Sequence, residues 1–136
     1  MKQPIKASAL AGKVLGAAGD SFVIAEWRDL GGSPDPLRRI APRHVHHSDD
    51  EAWYVLEGML RVQVGDEEVE AAAGSGVFVR RGTPHTYWNP GPGPVRYLLV
   101  MTPNIYRLIE EIHALTERTP TAVAAIFRKY DSGLLE

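Results

Sequence analysis

Apolar and polar positions follow two rhythms along this chain. From about Ser21 to Thr102 the apolar residues gather in short β-type runs: SFVIAEW, WYVLEG, LRVQV, GVFVR, HTYWN and VRYLLVM. Between them lie GGSPDP, HSDD, GDEE, AAGSG and NPGPGP, rich in residues that turn the backbone. Many short strands at close intervals, with no helical period between them, predict an antiparallel sandwich or barrel. After Pro103 the rhythm changes. Ile105, Leu108, Ile109, Ile112 and Leu115 recur at helical spacing, with Asn104 as the expected N-cap. TPTAVAAIFRKY then opens with a Thr cap and Pro at the first helical position. The expected division is a β-barrel over residues 1–103 and a helical extension over 104–136 packed on it.

Composition narrows the function classes. A chain of 136 residues suits one domain with its own core. A net charge of −2 supplies no basic field for nucleic acid or an anionic membrane, so neither is an expected partner. Cysteine is absent, which excludes disulfides, thiolate metal sites and thiol nucleophiles. Residues 6–19 look faintly like a signal peptide, but Lys13 interrupts them and no strongly apolar block follows, so they read as mature sequence. No run approaches the ~18 apolar residues of a membrane span. The default is a soluble cytoplasmic protein.

Chemistry concentrates in PRHVHHSDDEAWYVLEG, residues 42–58, which holds three of the chain's five histidines. Side chains alternate along a strand, so His44 and His46 share a face about 7 Å apart, while His47 takes the other. HSDD reads as a tight hairpin turn, and pairing around it brings Glu51 beside His46. Two nitrogens and one oxygen on an inner surface could close on an ion. Taken alone, the stretch fits a polar surface turn as well. A second segment, GSGVFVRRGTPHTYWN, carries His85 on a restarted strand, with Tyr87 and Asn89 on the same face.

These segments resemble the two motifs of the cupin superfamily. The first is His44-x-His46, then Glu51 and Gly58; the second is Gly74, Arg80, Gly82, His85 and Asn89. Fifteen residues separate Gly58 from Gly74, a spacing similar to that of compact bacterial monocupins. Arg80 and Arg38 depart from the pattern, at positions that shape turns and are not ligands. The resemblance covers about residues 20–102. It implies a double-stranded β-helix, the jelly-roll cupin barrel, with a metal held by His44, His46, Glu51 and His85 and two short C-terminal α-helices outside the motifs.

Three imidazoles and a carboxylate suit a divalent transition metal (Fe, Mn, Ni, Co, Cu or Zn) and argue against Ca²⁺ and Mg²⁺. By alternation Trp53 and Val55 follow Glu51 inward, and Tyr87 follows His85. Tyr87 could donate a hydrogen bond or proton to a substrate, and Asn89 is expected to satisfy backbone groups. Asp49 and Asp50 read as a solvated turn, His47 as outward-facing and His113 as an exposed helical residue.

Three functions compete. The first, similar to quercetinase-type cupins, is a metal-dependent dioxygenase-like oxidoreductase on a small enolic or aromatic substrate. There Glu51 acts as ligand or, when displaced, as base, and dioxygen attacks the activated carbon. The second is a metal-dependent isomerase or lyase on a sugar or keto acid, with proton transfer by Tyr87 or Glu51. The third is a cupin that binds a small molecule without turnover. An inward Val62/Val64 set favours the first, and an inward Arg61/Gln63 set the second. The apolar outer positions Tyr54 and Leu56 lead us to expect a homodimer.

Overall fold

A computed structural model describes residue 10, residues 13–31 and residues 38–135. Residues 32–36 of the expected turn, and residues 6–9, 11 and 12 of the 6–19 segment, lie outside the described residues. The strands are β1 (Val14–Leu15), β2 (Val23–Asp29), β3 (Ala41–His46), β4 (Glu51–Glu57), β5 (Met59–Val64), β6 (Glu67–Ala72), β7 (Gly76–Val79), β8 (His85–Trp88) and β9 (Val95–Met101). Helices α1 (Pro103–Ala114) and α2 (Pro120–Lys129) follow, then a last strand β10 (Ser132–Leu134). Two five-stranded sheets form, in the orders β1-β2-β9-β4-β7 and β10-β3-β8-β5-β6. All pairings are antiparallel, as in a jelly roll.

Alternation places the core between the sheets. On β4, Glu51, Trp53 and Val55 are buried, while Tyr54 is 45% exposed. On β9, Val95, Tyr97, Leu99 and Met101 point inward. Val62 on β5 is fully buried, and Arg61 instead pairs with Glu70 on the neighbouring strand. Burying each large apolar side chain contributes roughly 1.5–3 kcal/mol, so this inner face holds the sheets together. Gly58 ends β4 with φ +81°, and a Cβ there would meet the Pro94 carbonyl oxygen at 2.4 Å. Only glycine passes that crossing, which accounts for its place in the first motif.

The connection at 47–50 differs from its sequence reading. β3 and β4 do not pair around HSDD. They belong to opposite sheets, with β3 beside β8 and β10, and β4 beside β7 and β9. Four polar residues cross from sheet to sheet, and Glu51 meets the histidines because the two sheets face each other. Asp50 fastens the crossing by accepting hydrogen bonds from the backbone N, Nε and Nη2 of Arg81, at 2.8, 3.2 and 3.0 Å.

The tail also differs in detail. Thr102, not Asn104, caps α1, its hydroxyl accepting from the Ile105 N–H at 3.2 Å. Pro103, with its fixed φ and no N–H, starts the helix earlier than expected. Asn104 is left to bridge Asp49 and the Tyr130 carbonyl. Thr119 caps α2, with Pro120 at the first helical position, as the sequence predicts. Ile105 and Leu108 of α1, and Ile126 and Phe127 of α2, are buried. Beyond α2 the chain returns to the barrel, and β10 pairs along β3 with Ser132 opposite His46. No helix among the described residues is long and apolar enough to cross a membrane.

Candidate metal centre

Strands from both sheets bring four side chains together. His44 and His46 come from β3, His85 from β8 directly opposite His44, and Glu51 from the start of β4 across the barrel. All four are buried, and their ligating atoms lie within 4.8 Å of one another. His44 Nε2 is 3.1 Å from His46 Nε2. Glu51 Oε1 is 2.5 Å from His85 Nε2, 3.3 Å from His46 Nε2 and 4.0 Å from His44 Nε2. Adjacent ligands on metal bonds of about 2.1 Å sit roughly 3 Å apart, so the cluster has the size of a coordination shell.

The outer nitrogens fix what the inner ones present. His44 Nδ1 lies 2.6 Å from the Pro42 carbonyl oxygen, and His85 Nδ1 lies 2.9 Å from that of Thr83. A carbonyl only accepts, so both rings carry their proton on Nδ1 and donate it. His46 Nδ1 meets Ser132 Oγ at 2.7 Å, and Ser132 in turn donates to the Tyr130 carbonyl at 3.0 Å. Ser132 has spent its hydrogen, so it accepts from His46. Each ring therefore directs Nε2 inward, where a lone pair can act as ligand. Lone pairs facing one another and a carboxylate repel unless a metal ion or a proton sits among them. Metal-ligating histidines have this outer support as a rule.

Electrostatics keep the set ready for a cation. Burial, then the neighbouring His85 and His46, push the His44 imidazole down to about 3, so it stays neutral. Burial alone would raise the Glu51 carboxyl. The close approach of His46 and His85 outweighs it and holds the group below the usual carboxylate range, as an anion. One carboxylate, three imidazoles and no thiolate suit a divalent transition metal.

A cavity of about 440 Å³ opens on the cluster, between the barrel mouth and the helical tail. His44, His46 and Glu51 stand at its polar end, and Leu99, Ile105, Leu108, Ile109, Ile112 and Val123 supply much of its apolar wall. Phe127 of α2 lies 5.2 Å from His44, ring centre to ring centre. Tyr87 and Trp53, expected as inner-face residues, both line the cavity, their rings 5.2 Å apart. The Tyr87 hydroxyl meets that of Tyr97 at 3.0 Å. Burial raises Tyr87 to about 12 despite that hydrogen bond, so it holds its proton at neutral pH.

The remaining histidines and carboxylates stand apart. His47 is exposed, and His113 is exposed on α1 but borders the cavity, 6.4 Å from Trp27. Asp49 and Asp50 form no acid–base pair, since each fastens a different neighbour. Asn89 satisfies the 90–94 loop, donating to the Gly93 carbonyl and accepting from the Gly91 N–H. Sequence reasoning missed Ser132, Tyr97 and Phe127. A β9 alternation signal existed for Tyr97, but nothing local marked the other two as neighbours of the cluster.

Two packed antiparallel sheets with this His/His/Glu/His cluster between them define a cupin barrel. Residues 35–101 match the family model described as a cupin domain, and the chain belongs to the cupin superfamily. Among curated proteins it is 37% identical over 82 residues to the tetracenomycin polyketide synthase protein TcmJ of Streptomyces glaucescens, covering 60% of this chain and 54% of that one. The chain spans about half the length of the curated relatives it matches. Among solved structures it resembles a sugar phosphate isomerase of the cupin superfamily from Silicibacter pomeroyi, with 25% identity, TM-score 0.52 and coverage of 61% and 51% of the two chains. A cupin protein from Bacteroides fragilis shares the fold at TM-score 0.59 and 16% identity, over 75% and 86%.

Proposed function

We propose that His44, His46, Glu51 and His85 hold a divalent transition metal and that the protein is a dioxygenase-like oxidoreductase acting on a small enolic or aromatic substrate. The observation that carries this reading is the apolar cavity ending on the four-residue cluster. Bound there, the ion would supply Lewis acidity to chelating oxygens and, where redox-active, exchange of electrons. With Glu51 as its one anionic ligand, a divalent ion keeps net positive charge, which a single enolate or phenolate would neutralise. The low basicity of Glu51 while paired with His46 and His85 makes it a ligand first; it becomes a base only on leaving them. Tyr87, protonated and buried, would serve as a hydrogen-bond donor rather than remove a proton. Apolar walls from the barrel and both helices exclude water from such a substrate.

Val62 faces inward and Arg61 outward, the arrangement expected for an apolar substrate. Similarity to a polyketide synthase protein points the same way, because polyketide chemistry is rich in enolisable carbonyls. The competing reading, an isomerase or lyase on a sugar or keto acid, draws on the Silicibacter relative and on Arg28 and Arg118, which line the cavity and could meet an anionic group. Oxygen uptake by metal-replete protein against a panel of enolic aromatics separates the readings. Substrate-dependent dioxygen consumption is expected; turnover of keto acids or sugars under argon would favour the isomerase, and binding without turnover the non-catalytic module.

The homodimer expectation is likewise a proposal. On the outer face of the first sheet the register aligns Ile24, Val100, Ala52 and Phe78 in one row, with Leu98 and Tyr54 in the next. Phe78 and Tyr54 are exposed there. A second copy laid on this face would cover them.

A further inference from the structure

The inner end of the cavity holds a hydrogen-bond donor without a partner. Trp53 is only 2% exposed, yet its indole N–H is buried without a hydrogen-bond partner. It lies close enough to the Tyr87 hydroxyl to favour that group's ionisation, but outside hydrogen-bond geometry. Tyr87 and Tyr97 hold each other at 3.0 Å, and that single bond uses one of their two hydroxyl hydrogens. Both rings line the cavity, and the Trp53 ring stands 5.7 Å from His85. An indole hydrogen and one phenolic hydrogen are therefore spare beside the His/Glu cluster. A buried donor left unpaired carries its desolvation cost uncompensated, so a ligand that brings an acceptor gains by pairing it.

We propose that Trp53, with the Tyr87–Tyr97 hydroxyl pair, forms an acceptor-oxygen subsite. It receives a carbonyl or phenolate oxygen at the far side of a ligand whose chelating oxygens face the His/Glu cluster. This deepens the reading of the site as one for enolic aromatics and rests on it. The ligand class is a flat ring system with two separated oxygen positions, such as a hydroxyquinone. Trp53 is thereby a binding and specificity residue.

The test uses the full chain loaded with zinc, which is diamagnetic and inert to quinones. Two probes share one chelating edge, a ketone beside a phenol: juglone carries a second carbonyl across the ring, and the corresponding hydroxytetralone lacks it. The chain has no cysteine to add to the quinone. Trp53→Phe is expected to weaken juglone about tenfold and the tetralone by no more than about twofold. In unaltered protein with labelled indoles, the Trp53 N–H resonance is expected to move downfield with juglone and not with the tetralone. That spectrum decides the matter should the substitution unfold the barrel. Equal weakening of both probes, or an unmoved Trp53 resonance on juglone binding, would overturn the subsite while leaving the chelating site standing. Failure of both probes to bind the zinc-loaded protein would overturn the enolic reading and the subsite with it.

Discussion

The barrel wall and the C-terminal tail meet at the same cluster but serve it by different physics. The wall contributes the four inward side chains from strands locked by ladder hydrogen bonds, so their positions follow from register: His85 opposite His44, and Glu51 across the barrel. Among the described residues the tail contributes no ligand to the cluster. Phe127 packs against His44 and lines the cavity, while Ser132, 86 residues from His46 in sequence, accepts a hydrogen bond from that ring. The wall decides which atoms face the centre; the tail decides how firmly one ring is held and supplies apolar lining beside it.

Breaking the tail's packing is the harshest test of that division. Phe127→Ala deletes a buried ring and is expected to lower unfolding stability by about 3 kcal/mol, read by denaturant melting. One ion per chain should still bind, because no proposed ligand is touched. Ser132→Ala sharpens the comparison by removing only the acceptor for His46 Nδ1. Metal affinity is expected to fall about tenfold, with stoichiometry unchanged, in a chelator competition assay. An unchanged affinity would reduce β10 to a cover.

A smaller effect should appear at the inner end of the wall, away from the tail. The Tyr87 hydroxyl is raised from its ordinary value near 10 to about 12, chiefly by burial, and Tyr97 is raised as well. Folding favours the protonated form, so this contribution is fully present below pH 10 and is lost as pH rises towards 12. Melting temperature should decline over that window, and Tyr87→Phe should flatten the decline.

What the sequence disclosed follows the same division. His44, His46, Glu51 and His85 were legible because a transition ion demands particular residue types, and the alternation of strands restricts their spacing. The cap of α2 was legible from Thr119-Pro120 and the body of α1 from its apolar period, while the cap of α1 was read two residues late, at Asn104. The sheet-to-sheet crossing was not, since four polar residues look alike whether they close a hairpin or change layers. β6 escaped notice because only Ala71 in EEVEAA is buried, so its alternation carries no apolar signal. β10 is a three-residue strand, and Ser132 acquires meaning only beside His46, a pairing that local pattern does not encode.

Metal titration of stripped protein, unaltered and His44→Ala, followed by elemental analysis, tests the central claim most directly. Unaltered protein should take up one divalent transition ion per chain, and the variant, lacking one of the inward Nε2 atoms, should retain none after dialysis. Equal occupancy in the two proteins, or no tight uptake by the unaltered chain, would contradict the account.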